Sequence, residues 1–95
     1  MNVFRRYEMI QRRVTKIKKN KEGDIVALCN LGSYWSPRYL TDVISDIEVY
    51  KFQYYVQWRN GETTNIELVD GPNGKYLRTK LGKANRNDLF QLPEY

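Results

Sequence analysis

Phe52-Gln53-Tyr54-Tyr55-Val56-Gln57-Trp58-Arg59-Asn60-Gly61-Glu62-Thr63-Thr64-Asn65-Ile66-Glu67-Leu68-Val69 reads as a β-hairpin from end to end. Phe52, Tyr54, Val56 and Trp58 alternate with Gln53, Tyr55, Gln57 and Arg59, the pattern of a half-buried strand. Thr64, Ile66 and Leu68 alternate with Asn65, Glu67 and Val69 on the return. A two-residue Asn60-Gly61 turn would pair Tyr54 with Glu67 and Val56 with Asn65, mixing apolar and polar on both faces. A three-residue loop, Arg59-Asn60-Gly61 with Gly61 in the left-handed region, pairs Tyr54 with Ile66 and Phe52 with Leu68. Only that register gives one apolar face for a helix to cover, and it is the one expected.

The covering helix lies upstream. Leu40, Val43, Ile44 and Ile47 recur at i, i+3, i+4 and i+7, with Thr41, Asp42, Ser45, Asp46 and Glu48 assigned to the solvent side. Pro37 forces Ser36 out of the α region and itself suits a first helical position, so the helix is expected over about 37–48 with Ser36 as its cap. Further upstream, Val14-Thr15-Ile17 and Ile25–Cys29 flank a turn at Asn20–Asp24 and form a first hairpin. Val14 and Ile17 differ by an odd number, which demands either a bulge or cover on both faces. Downstream, Gly71-Pro72-Asn73-Gly74 breaks the chain. Its spacing is too short for a phosphate loop and no Ser or Thr follows Lys75, so it reads as a turn before a strand at 75–79. The tail has Leu89, Phe90 and Leu92 to anchor it. The expected fold is α+β: a small single domain in ββαβββ order, an antiparallel sheet with one helix on one face.

Charge is distributed in blocks. Residues 1–21 carry a net +7, residues 22–74 a net −5, and residues 75–95 a net +3, within an overall +5. Basic ends and an acidic middle suit an anionic partner at the ends, or a second copy met end to middle. Ninety-five residues make one domain, and the chain divides into a basic arm, 1–12, and a domain, 13–95. A chain this small buries only about 60–65% of its unfolded surface, so assembly into a homo-oligomer would help it. Eight tyrosines suit contact surfaces and, equally, a small core padded with half-buried rings.

Cys29 is alone, which excludes an internal disulfide and a thiolate metal cage and points to a reducing, cytoplasmic setting. No apolar run approaches the roughly 18–20 residues needed to span a bilayer. With no histidine, the usual general base and the commonest metal ligand are missing, so neither catalysis, cofactor nor metal is expected.

Anion chemistry is better supplied. A helix opening at Ser36-Pro37 would offer free N–H groups and the positive end of its dipole to a phosphate, with Trp35 before it and Arg38 and Tyr39 after it. Tyr76, Arg78, Asn85 and Arg86 add an aromatic, cations and an amide of the kinds that grip phosphates and bases, and a small ligand is expected where Trp35, Ser36, Arg38 and Arg78 converge. Arg12, Arg13, Lys16 and Lys18 lie at no helical period and make a phosphate-seeking strip for nucleic acid, without base readout. Trp35 is equally suited to stapling the core, and isolated lysines to a solvated face.

In its order of motifs the chain resembles a family of short uncharacterised bacterial and phage proteins, a domain of unknown function. The carriers are a charged strand with a Gly-Asp turn (Lys18–Ile25), Trp35-Ser36 before a helix ending Asp46-Ile47-Glu48, Tyr54-Tyr55-Val56, Tyr76-Leu77-Arg78-Thr79, and a polar stretch into Leu89–Pro93. The resemblance covers about 13–95. The chain departs from the pattern in its Glu94-Tyr95 ending and its basic 80–86 linker. It implies a compact domain and supplies no catalytic residue. By analogy with small phage proteins it implies capture of a host nucleotide as a counter-defence sponge. The expected function is therefore non-enzymatic binding of a nucleotide or nucleic acid, against the alternative of a protein-interaction or homo-oligomeric assembly module.

Overall fold

The computed structural model describes residues 10–80 and 88–95. Strands β1 (Gln11–Arg13), β2 (Lys16–Lys19), β3 (Ile25–Cys29) and β4 (Arg38–Tyr39) precede helix α1 (Leu40–Glu48), and β5 (Gln53–Gln57), β6 (Thr63–Gly71) and β7 (Gly74–Thr79) follow it. A 3-10 turn at Leu89–Gln91 closes the chain. The strands form two sheets, β1-β5-β6-β7 and β2-β3-β4. This is a small α+β domain. Among the described strands the pairings are antiparallel except β1 with β5, which run parallel with Arg12 opposite Tyr54.

The two sheets share one run of chain. The Val14 N–H donates to the Tyr55 C=O at 2.8 Å, and the very next amide, Thr15 N–H, donates to the Cys29 C=O at 2.9 Å. Crossing from one sheet to the other between consecutive residues resets the inward parity, so Val14 and Ile17 are both fully buried. Gln11–Arg13 is a strand, so Arg12, expected in the basic arm, is a strand residue.

The hairpin register is the expected one: Tyr54 faces Ile66 and Val56 faces Thr64. Trp58 N–H donates to Glu62 C=O at 2.8 Å across the three-residue loop, and Gly61 takes φ +88°, a conformation costly for any residue with a Cβ. One pair of the expected register is absent. The ladder ends at Tyr54–Ile66, and Phe52 does not pair with Leu68, because its N–H turns to the Asp46 C=O at the end of α1 (2.9 Å). Residues 71–74 form the tight turn between β6 and β7, as their composition required.

Helix α1 starts at Leu40, later than the expected 37, and Ser36 does not cap it. Residues 38–39 are extended because β3 claims them: Tyr39 lies opposite Ala27 and Arg38 opposite Leu28. The Ser36 hydroxyl instead accepts the Asn30 N–H at 2.8 Å. Long-range backbone pairing thus outweighs a local capping signal. The apolar stripe of the helix packs as expected, with Val43 fully buried and Leu40 and Ile47 against the core of Val14, Ile17, Leu28, Tyr54, Val56, Ile66 and Leu77. Asp46 does not lie on the solvent side. It stands one turn from Val43 and is 1% exposed.

The tail closes the open edge of β2. Ile17 N–H donates to Pro93 C=O at 3.0 Å and Tyr95 N–H to Ile17 C=O at 2.8 Å, with Leu89 fully buried beneath. An edge covered in this way is no template for a further strand.

Candidate functional site: a buried ion cluster and an outer basic face

The buried aspartate organises the centre of the domain. Asp46 accepts from Arg38 through both carboxylate oxygens, Nε to Oδ2 at 2.9 Å and Nη2 to Oδ1 at 2.8 Å. The Tyr54 hydroxyl donates to Oδ2 at 2.5 Å, and Arg12 Nη1 stands 3.5 Å from the same oxygen. Arg12 Nη1 also donates to the Tyr54 hydroxyl at 2.9 Å. A fork-shaped donor on a carboxylate is among the stronger charge-assisted arrangements, and it fixes the helix to β4 and β5.

Arg12 is enclosed by rings. Its guanidinium carbon lies 4.9 Å from the Phe52 centroid, 5.5 Å from Trp35, and 5.8 Å from each of Tyr34 and Tyr54. Trp35 meets Tyr54 edge-on at 5.7 Å, so Trp35 serves as the core staple. The Arg12 side chain is 10% exposed, and its Nε is buried with no hydrogen-bond partner among the described residues. Ring faces are what compensate that group.

The electrostatics follow the burial. Burial pushes the Asp46 carboxyl up, but the hydrogen bonds from Arg38 and Tyr54 and the charges of Arg38 and Arg12 outweigh it, and the net shift is below the ordinary 3.8. Such a carboxylate holds no proton near neutrality, and it is committed to Arg38, Tyr54 and Arg12. Burial first, then the bond to Asp46, pushes the Tyr54 phenol up to about 12. Tyr54 is expected to ionise at about 12 in an ultraviolet absorbance titration of the folded protein. The stabilisation tied to its neutral form is complete below pH 10 and is lost as pH rises through about 12. A Tyr54 phenol that ionises near its ordinary 10 in the folded protein would contradict the cluster.

The residues singled out from sequence therefore fall into three places. Trp35, Arg38 and Arg12 belong to the inner cluster, where Arg12 is spent on the core and unavailable to phosphates. Arg78 and Tyr76 lie elsewhere. Thr79 shares a face with Ile66 and Tyr54, so strand alternation puts Arg78 and Tyr76 on the opposite face of the four-stranded sheet. There Arg78 pairs with Glu67 at 3.0 Å, and the expected convergence of Trp35, Ser36, Arg38 and Arg78 does not form. Asn85 and Arg86 lie outside the described residues.

Lys16, Lys18, Ser36 and Tyr39 are the third group. Lys16 is opposite Cys29, Lys18 opposite Ala27, and Ala27 opposite Tyr39, so both lysines and Tyr39 share the outer face of the three-stranded sheet. Lys18 Nζ lies 3.2 Å from the Tyr39 hydroxyl and 5.5 Å from its ring centre. Burial raises the Cys29 thiol while Lys18, the Ser36 hydroxyl and Lys16 pull it down, which places all three around it. Neither Lys16 nor Lys18 has a carboxylate partner among the described residues. Arg13 is likewise unpaired, though parity sets it on the outer face of the other sheet, beside Gln53 and Tyr55.

Sequence reading passed over Tyr34, Asp46, Phe52 and Tyr54 as partners of Arg12. Nothing local announces them, since Arg12 lies 34 residues from Asp46 and 42 from Tyr54. No family model, curated protein or solved structure matches the chain. No helix among the described residues is long and apolar enough to cross a membrane.

Proposed function

We propose that this protein is a non-enzymatic binder of phosphate-bearing ligands, and that it holds nucleic acid on the outer face of the three-stranded sheet. The observation that carries this reading is the pair Lys16 and Lys18 on one face of β2, Lys18 against the Tyr39 ring, and neither with a carboxylate partner among the described residues. Cations at every second strand residue track a phosphate backbone, and a half-exposed ring offers a sequence-tolerant stacking surface. No nucleophile with an activating base stands nearby, and Cys29 beneath is a buried thiol held protonated. Ligand leaves as it arrived. Capture without turnover also suits a sponge for a host nucleotide signal, the role implied by the resemblance to short phage proteins.

Fluorescence anisotropy with a labelled single-stranded oligonucleotide tests the reading. Binding is expected to be weak, indifferent to sequence and steeply salt-dependent. Lys16→Ala and Lys18→Ala should each reduce the slope of log affinity against log salt by about 0.7–0.9. An affinity unchanged by salt, or by loss of both lysines, would overturn it.

A further inference from the structure

The ladder between β5 and β6 stops early, and the gap it leaves is a cavity of about 470 Å³. That volume is within the range of small-molecule sites. Its walls are Phe52 and Gln53 on one side, Glu67 and Leu68 on the other, with the end of α1 at Ile47 and Glu48.

Successive residues of an antiparallel strand point their N–H and C=O to opposite neighbours. Asn65 C=O accepts the Lys80 N–H at 2.7 Å, so odd-numbered residues of β6 face β7 and even-numbered ones face β5. Ile66, opposite Tyr54, is the last even residue with a ladder partner. Beyond it, Phe52 N–H goes to Asp46 and Gln53 N–H to Ile10. Leu68, which lines the gap, thus aims a donor and an acceptor at it, with no backbone partner among the described residues.

The charges around the gap are unequally committed. Glu48 is held by Lys75 and Glu67 by Arg78, whereas Lys51 and Lys80 line the same opening without an acidic partner among the described residues. Lys51 also carries the chain out of the helix at φ +60°, a left-handed position where glycine is the usual choice. A lysine kept at a strained position beside a cavity is explained if its ammonium is used there.

We propose that this gap binds a mononucleotide, its base edge hydrogen-bonded to the free N–H and C=O of Leu68, its ring against Ile47 and Phe52, and its phosphate met by Lys51 and Lys80. This rests on the reading of the chain as a binder of phosphate-bearing ligands, and it adds a second site with a different ligand size. A backbone donor beside a backbone acceptor matches the paired acceptor and donor on a base, which a bare phosphate lacks.

The test is titration of the whole ¹⁵N-labelled protein with AMP, GMP, CMP and UMP, followed by its amide spectrum. At least one nucleotide should move the Leu68 amide to saturation at millimolar concentration, while ribose 5-phosphate leaves Leu68 in place. Lys51→Gly should weaken that binding about fivefold, the scale of an exposed ion pair, and raise the melting temperature by about 4–8 °C through relief of about 1 kcal/mol of left-handed strain. Lys80→Gln should weaken binding similarly without stabilising. An unmoved Leu68 amide with all four nucleotides would overturn the proposal, as would wild-type affinity in Lys51→Gly. Lys16→Ala/Lys18→Ala protein separates the two readings. Loss of oligonucleotide binding there with Leu68 still responding upholds both, and failure of either response alone condemns only its own site.

Discussion

Asp46→Ala is expected to destabilise the domain by about 3–5 kcal/mol, the scale seen when one partner of a buried ion pair is removed. Against a total stability of roughly 5–15 kcal/mol for a domain, that leaves little or nothing. The cost arises less from lost attraction than from what remains. Arg38 is 34% exposed and can turn its charge to water, but Arg12 is 10% exposed and walled by four rings. Asp46→Asn keeps the shape and one acceptor for Arg38, and should cost less, about 2–3 kcal/mol. Asp42→Asn, on the exposed side of the same helix, is the control and should stay within about 0.5 kcal/mol. Urea unfolding of the three variants reads these differences directly. Equal effects of Asp46→Asn and Asp42→Asn would mean that the aspartate is solvated after all.

Acid should reproduce part of this effect without mutation. The folded carboxyl of Asp46 titrates below its ordinary value, so the stabilisation it contributes is complete above pH 3.8 and disappears as pH falls through the lower folded value. In Asp46→Asn protein that limb of the stability–pH curve should flatten.

Much of this architecture is legible in the residues, and the illegible parts share one cause. The 52–69 register could be read because the Gly61 turn and the alternation on both arms demand the same pairing, and both are local. The Leu40–Ile47 stripe is local in the same sense. The start of α1 was misread because Pro37 and Ser36 speak only for themselves, while β3 captures Arg38 and Tyr39 from ten residues or more away. Asp46 was misread for the same reason. Helical periodicity places it at the margin of the apolar arc, and its burial depends on arginines 8 and 34 residues distant. The parallel pairing of β1 with β5, which brings Arg12 over Tyr54, has no signal in either strand. A cation in a basic run reads as surface until the ring that receives it is known.

Arg12 decides between those two roles, and its substitution should separate stability from binding. Arg12→Ala removes a long side chain from among four rings, its bond to the Tyr54 hydroxyl, and part of the countercharge of Asp46. The expected loss is about 3–4 kcal/mol. Arg12→Met refills most of the volume without charge and leaves Asp46 to the fork of Arg38, so it should cost only about 1–2 kcal/mol. Arg12→Lys keeps the charge but has no planar fork to lie among the rings, and should be no better than Met. None of the three should change the salt slope of oligonucleotide binding while the protein is folded, because a guanidinium enclosed by Tyr34, Trp35, Phe52 and Tyr54 meets no phosphate. Lys18→Ala should do the reverse, weakening binding with stability nearly unchanged, since its ammonium touches only the exposed Tyr39. Paired measurements of urea midpoint and oligonucleotide anisotropy on Arg12→Met and Lys18→Ala give this crossed result or refute it. A folded Arg12→Met protein that lost as much affinity as Lys18→Ala would show that the guanidinium leaves its cage to reach the ligand, and the outer face alone would then no longer account for binding.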